Sequence, residues 1–271
     1  MSKVTNIEEA VRLVQDGMML GLGGNVLHRS PMAFVREIVR QKRKNLRVVK
    51  TAGGHDVDVL AAFNCLKSVD AGFIGYETGF GLAKFYRKAV EDGTIQANEH
   101  ACYTVMSALR AAMANVGFMP IKGMVAGDLI TQNDYFKIIE DPFTREKITV
   151  VKAITPDIAI LHVQEADEDG NGFIFGPKYD DILLSNASKK IILTTEKLIP
   201  KSRSAMNFKN VDIPGFLVSA VVVAPRGAMP GSCDVMYDVD SKALKDFLSI
   251  SDLKELNLYL QKYDHQDHQF R

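Results

Sequence analysis

A chain of 271 residues with 46% hydrophobic and 24% charged content has enough apolar side chains for a large core, as one big α/β domain or two small ones. Lys+Arg and Asp+Glu each number 33, for a formal net charge of zero. No global field therefore attracts nucleic acid or an anionic membrane, and no apolar run approaches the roughly 18 residues that a membrane span needs. Cys65, Cys102 and Cys233 are odd in number, far apart and form no C-x-x-C. Together with a start, Met1 to Asn6, that has no apolar leader, this predicts a reducing, cytoplasmic location and no metal site.

In chain order, Thr5 or Asn6 caps a helix with Ile7, Ala10, Val11 and Val14 on one face, ended by Asp16-Gly17. Met18 to Leu22 then has the length of a fully buried strand. Gly23-Gly24-Asn25 breaks it, and Pro31 opens a helix carrying Met32, Phe34, Val35, Ile38 and Val39. At the carboxyl edge of an open sheet such a loop lets backbone N–H groups approach an anion, although two glycines are equally what a tight turn needs. The dinucleotide fingerprint fails: Gly21 and Gly23 supply its first two glycines, but Val26 stands where the third belongs. The basic run from Arg40 to Arg47 lies between a helix C-terminus, where cations are favoured anyway, and the next strand.

The unit repeats. Val48-Val49 runs into Ala52-Gly53-Gly54-His55-Asp56 and a helix with Val59, Leu60 and Phe63. Val69 to Ile74 runs into Gly75-Tyr76-Glu77-Thr78-Gly79-Phe80-Gly81 and a helix with Leu82, Phe85, Tyr86 and Val90. Three strand–glycine–helix units in succession place their loops along one edge, where a ligand crevice is expected. Glu99 and His100 precede an alanine-rich helix from about Cys102 to Asn115. Ile121 to Val125 then leads to Gly127-Asp128, expected as a fourth loop of the same kind.

Ile148 to Lys152 and Asp157 to His162 read as strands, with His162 a satisfied core residue. Asp167 to Gly172 imitates the start of a calcium loop, but Lys178 occupies the twelfth position, so a hairpin turn between Ala159–Val163 and Phe173–Phe175 is expected instead. Asp180 to Ser188 is helical and Lys190 to Thr194 a strand. The β-branched run from Phe216 to Ala224 is expected at the centre of the sheet. Arg226 after it either meets an anion or caps the sheet edge. A helix through Leu244 and Leu260 closes the chain, and His265 to His268 is expected as a frayed polar tail. No G-x-S-x-G elbow, H-E-x-x-H or recognisable triad motif occurs.

The ordered set Gly21-Leu22-Gly23-Gly24, Pro31-Met32-Ala33-Phe34, Ala52-Gly53-Gly54-His55-Asp56, Gly117-Phe118-Met119-Pro120 and Ala224-Pro225-Arg226-Gly227-Ala228-Met229-Pro230 resembles the A subunit of class I coenzyme A transferases. It is most like the glutaconate CoA-transferase type and its steroid-ring-cleaving relatives, over about Thr5 to Tyr237. The resemblance implies one CoA-transferase A-subunit domain over residues 1–271, an open, mostly parallel α/β sheet with helices on both faces. It also implies a homologous B subunit, in a heterodimer or heterotetramer, whose glutamate attacks the acyl-CoA. A coenzyme A thioester and a carboxylic acid are then substrates, with no permanently bound cofactor.

On this resemblance the expected substrate-binding residues are Gly23, Gly24, Asn25, Gly53, Gly54, His55, Tyr76, Glu77, Gly127 and Asp128. The backbone N–H groups of the paired glycines would face a carboxylate or oxyanion, and valine at position 24 or 54 would remove activity while leaving the fold intact. Glu99 or Cys102 is the alternative catalytic position if the chemistry is the hydrolytic ring cleavage of those relatives. Glu99 would then be a general base, or simply cap the following helix. A non-catalytic ligand-binding protein of the same fold is the third possibility. Phe80, Leu82, Phe118 and Met119 beside the loops are expected to need a partner's cover, or to lie in the chain's own core.

Overall fold

The computed structural model describes residues 2–77, 79–124 and 127–269; Thr78 of the third loop and Val125 lie outside them. The strands are β1 (Val4–Thr5), β2 (Met19–Leu22), β3 (Leu46–Gly53), β4 (Leu66–Ile74), β5 (Gln96–Glu99), β6 (Phe118–Ile121), β7 (Phe136–Glu140), β8 (Lys147–Lys152), β9 (Ile158–Asp167), β10 (Gly172–Phe173), β11 (Ile191–Ile199) and β12 (Val218–Val223). The helices are α1 (Ile7–Val11), α2 (Met32–Arg40), α3 (His55–Ala62), α4 (Lys84–Glu91), α5 (Cys102–Met113), α6 (Leu129–Gln132), α7 (Asp181–Ala187), α8 (Lys201–Met206), α9 (Ser241–Ser249) and α10 (Leu253–Asp267).

Among the described residues one sheet has the order β1-β12-β11-β9-β2-β3-β4-β5, parallel throughout, with β10 antiparallel on β9. Its two faces can be read from the period-2 alternation of the strands. Ile158 and Ile160 of β9 join the cluster under α1, α2, α3 and α10, whereas Ala159, Leu161 and Val163 join the cluster under α5 and α7. This is the open α/β architecture expected, with helices on both faces. Asn6 accepts the N–H of Glu9 at the start of α1, and the hairpin pairs Gly172 with Ala166 and Phe173 with Glu165, both as expected.

Four expectations need correction. β12 is not central: only the two-residue β1 lies outside it. A continuous β-branched run reports burial on both faces, not place in the order, and α1 packs over this flank. Among the described residues the last strand before Gly127 is β6, ending at Ile121, and it belongs to a separate antiparallel sheet, β6-β8-β7, so Gly127-Asp128 follows no strand of the main sheet. The chain ends in two helices, not one, because Asp252 accepts the N–H of Glu255 and starts α10 afresh. α10 runs on through His265, so the tail is docked and not frayed.

β3, β4 and β5 extend the sheet outward from β2 on one side, whereas β9, β11 and β12 extend it on the other. The order therefore reverses between β2 and β9. In open α/β sheets the crevice outside the carboxyl ends at such a reversal is where ligands bind.

Candidate functional site

The three glycine loops do lie side by side at the carboxyl ends of β2, β3 and β4, where they are tied to one another. Val26 N–H donates to the Ala52 carbonyl at 3.0 Å, and Gly75 N–H to the Gly53 carbonyl at 3.0 Å. Their N–H groups are not displayed to a ligand. Gly23 donates to the Ile160 carbonyl at 2.9 Å, Gly24 to Asp181 Oδ1 at 2.9 Å and Gly54 to Asp56 Oδ1 at 3.1 Å. A Cβ on Gly24 would sit 2.3 Å from the His28 carbonyl oxygen, at a φ of +72° that L side chains rarely adopt. On Gly53 it would lie 2.7 Å from the Ile74 side chain, and on Gly54 2.9 Å from the Gly75 carbonyl. These glycines are required by packing and backbone conformation, which corrects the oxyanion role expected for the N–H groups of Gly23, Gly24 and Gly54. Gly24→Ala is accordingly expected to lower stability by about 1–3 kcal/mol. A chemical denaturation midpoint equal to that of the parent protein would contradict it.

The reversal point itself is filled by charge. Arg29, fully buried, donates to Asp181 Oδ2 at 2.5 Å, to the His162 carbonyl at 2.9 Å and to the Pro177 carbonyl at 2.8 Å. Lys50, also fully buried, donates to the Gly23 carbonyl at 2.8 Å, to Ser30 Oγ at 3.0 Å and to Asp56 Oδ2 at 2.5 Å. Asp180 accepts from the Thr51 hydroxyl, and burial, the largest cause, holds its carboxyl above the usual range. Apart from Asp56 in the second glycine loop, none of these charges stood out in the sequence, since a buried Lys or Asp looks like a solvated one.

His55 and Tyr76 also face inward. The His55 ring lies between the Tyr76 and Tyr259 hydroxyls, at 3.0 and 2.8 Å, and edge-on to Phe247. Burial, with the nearby Arg36, pulls its pKa down to about 3, so it is a neutral tie between α3 and α10. The Tyr76 hydroxyl donates to Asp58 Oδ2 at 3.0 Å, and burial pushes Asp58 up to about 6.

What reaches the solvent edge is a smaller group. His28 Nε2 lies 2.7 Å from Glu77 Oε1, with side chains 31% and 43% exposed, and His28 Nδ1 lies 2.6 Å from Ser232 Oγ. The order Ser232, His28, Glu77 has the spacing of a proton relay, but Ser232 is only 6% exposed. The N–H groups of Gly231, Ser232 and Cys233 all donate within the chain. A nucleophilic serine needs access and free oxyanion donors; here the hydroxyl fixes the His28 ring. His28 and Ser232, 204 positions apart, carried no sequence signal. Beside them, Asn25 Oδ1 is buried without a hydrogen-bond partner.

Glu99 ends β5 with an exposed side chain on the wall of a cavity of about 460 Å³. It does not cap α5, whose first turn is held by Thr104 Oγ1 accepting Ala101 N–H at 3.0 Å. Cys102 is half-buried with Sγ 3.5 Å from the Thr51 carbonyl. Gly127 and Asp128 are exposed. They come to this edge from the other sheet, since Asn133 Nδ2 donates to the Glu99 carbonyl at 2.7 Å and Leu129 shares the cavity.

His162 is satisfied, as expected, by Thr194 and by Glu196 Oε1, both at 2.8 Å. His162, Glu196 and Cys233 form the one group of three or more His, Cys, Asp or Glu among the described residues whose ligand atoms lie within 4.8 Å of one another. The Glu196 carboxylate is already occupied by four donors: His162, Tyr237 and the N–H groups of Arg226 and Gly227. That set anchors the turn after β12. Arg226 thus closes the sheet edge through its backbone.

A large, mostly parallel sheet, its glycine loops at one edge and a docked C-terminal helix define an open α/β protein with a cavity of about 460 Å³ beside that edge. The coenzyme A transferase family model matches residues 4–224, and the chain belongs to that family. It is 30% identical to the A subunit of glutaconate CoA-transferase of Acidaminococcus fermentans, over 94% of this chain and 85% of that protein. It is 29% identical to the cholesterol ring-cleaving hydrolase IpdA subunit of Mycobacterium tuberculosis, over 83% and 80%. An uncharacterised protein of Archaeoglobus fulgidus is 32% identical over 96% of this chain, which spans 59% of that protein's length. The crystal structure of the Acidaminococcus fermentans transferase superposes with a TM-score of 0.88 at 28% identity, covering 98% of this chain and 94% of that one. A variant of the decarboxylase AibA/AibB superposes with the same score at 30% identity, covering 97% and 98%.

Proposed function

We propose that this chain is the A subunit of an acyl-CoA:carboxylate CoA-transferase, working with a homologous B subunit that carries the nucleophilic glutamate. The observation that supports this is the likeness to the A subunit of glutaconate CoA-transferase along almost the whole of both chains. In the proposed reaction the partner's glutamate carboxylate attacks the thioester carbonyl, expelling the CoA thiolate and forming a mixed anhydride. The thiolate then attacks the glutamyl carbonyl and frees the acyl group as a carboxylate. The acceptor carboxylate displaces the bound CoA by the same two steps in reverse. Splitting the exchange this way replaces one difficult encounter with successive intramolecular ones.

This chain's part is to wall the acyl pocket and present the polar edge of His28, Glu77, Asn25 and Glu99. The internal use of the N–H groups of Gly23, Gly24 and Gly54 leaves the oxyanion donors to the partner. The reading includes a cytoplasmic location, consistent with three free cysteines. No helix among the described residues is long and apolar enough to cross a membrane. Leu82 and Phe118, 59% and 49% exposed, are proposed partner contacts. Phe80 and Met119 are instead half-buried against the chain's own clusters.

The purified chain alone is expected to transfer no CoA between an acyl-CoA and a free acid, whereas the chain co-expressed with the product of a neighbouring B-type gene transfers it. Turnover by the isolated chain at the rate of the complex would refute the proposal. A second reading, as part of a CoA-thioester hydrolase, is favoured by the likeness to the ring-cleaving enzyme and by Glu99 beside a cavity. Release of CoA by the complex at an undiminished rate without an acceptor acid would select it.

A further inference from the structure

We infer that the acyl chain of the substrate lies in the cavity between α4 and the β4–β5 edge, and that it is uncharged, a monocarboxylic acyl group and not the thioester of a dicarboxylic acid. The inference rests on the CoA-thioester reading above and adds the substrate class. Two observations place the chain there. The reversal point between β2 and β9, where an open α/β protein ordinarily takes its ligand, is closed by Arg29, Asp181 and Lys50, all fully buried. The free room begins two strands further out: Ile74, three residues before Glu77 of the exposed His28–Glu77 pair, is part of the cavity wall. Its volume of about 460 Å³ falls in the usual range of small-molecule sites, about 300–1,000 Å³.

The lining decides the chemistry. Ile74, Leu82, Tyr86 and Val90 make an apolar wall, and the formal charges in the lining are Arg87, Glu91 and Glu99. Arg87 Nε already donates to Glu91 Oε1 at 2.7 Å, which leaves Glu99 uncompensated. His100, also in the lining, is turned to Asp70 Oδ1 across 3.5 Å, and both are fully buried side chains. Asp70 Oδ2 and His100 Nε2 have no hydrogen-bond partner. A second carboxylate entering on the end of an acyl chain would meet Glu99 and Glu91 with no unpaired cation to receive it, and would lose its hydration as it did so. A methyl-terminated chain of the same length gains burial and meets no such repulsion.

The test compares two thioesters of equal chain length, hexanoyl-CoA and adipyl-CoA, as substrates of the complex that this chain forms with its B subunit. Hexanoyl-CoA is expected to be turned over with a kcat/KM at least about tenfold higher. Val90→Phe, which fills the cavity from α4, is expected to lower the ratio of the hexanoyl-CoA to the acetyl-CoA kcat/KM by about tenfold. Acetyl-CoA activity also shows that the variant is folded. Equal or better use of adipyl-CoA, or an unchanged hexanoyl-to-acetyl ratio in Val90→Phe, overturns the inference. The ratio is read whether the complex transfers CoA or hydrolyses the thioester, so the transfer reading can fail while this one stands. No turnover of any of the three thioesters overturns both.

Discussion

Asp181→Ala is expected to lower the stability of the chain by about 3–5 kcal/mol, the cost of removing one partner of a buried ion pair. Asp181 and Arg29 each have a fully buried side chain, 2.5 Å apart, and Asp181 also receives the Gly24 N–H. Alanine at 181 leaves an uncompensated guanidinium in the interior, still held by the carbonyls of His162 and Pro177, and an unbonded N–H at Gly24. For a chain of this size the unfolding midpoint falls by roughly 2–4 °C per kcal/mol, so the shift is large enough to read in a thermal melt. The double variant Arg29→Met with Asp181→Leu removes both charges; the Gly24 N–H loses its acceptor and the His162 and Pro177 carbonyls lose a donor, neutral losses that each cost less than a stranded charge. It is expected to be more stable than Asp181→Ala alone. If the double variant were the less stable of the two, the loss would lie in packing, not in a stranded charge.

That pair also shows why the sequence revealed the fold better than the site. Strand and helix order could be read because burial leaves a period: β9 alternates Ile158 and Ile160 against Ala159 and Leu161 between the two faces, and each glycine loop marks a strand's end. The glycines themselves were legible as breaks but not as to purpose. Gly24 is needed because a Cβ would strike the His28 carbonyl, a constraint set by residues that only the fold brings close. Charges carry no such period. Arg29 and Asp181 are 152 positions apart and Lys50 sits in the middle of β3, so nothing local distinguishes them from solvated residues. Glu99 came to notice through the resemblance to the ring-cleaving relatives and not through a local pattern. The wall opposite it comes from α4, whose Tyr86 and Val90 read only as a helix face.

The same limit applied to the tail, where the polar run His265 to His268 gave no hint of docking. Asp267→Ala is expected to cost about 3–5 kcal/mol. Asp267 receives Arg36 Nε at 2.7 Å and Nη2 at 2.6 Å, and Arg40 Nη1 lies 2.9 Å from it. Arg36 and Asp267 both have fully buried side chains, the guanidinium stacks 4.1 Å from the centre of the Tyr263 ring, and its Nη1 donates to the Met229 carbonyl at 2.7 Å. One arginine on α2 thereby joins α10 to the turn after β12, the turn that also carries Ser232 beneath His28. Loss of Asp267 should therefore reach the edge of the sheet as well as the terminus. A urea titration of the variant is expected to show a lowered midpoint with an unchanged slope, because the surface exposed on unfolding is nearly the same. Asp267→Asn, which keeps the shape and one acceptor but drops the charge, is expected to fall between alanine and the parent protein. A midpoint for Asp267→Ala equal to the parent's would mean that the terminal turn of α10 frays in solution and that Arg36 finds its counter-charge elsewhere.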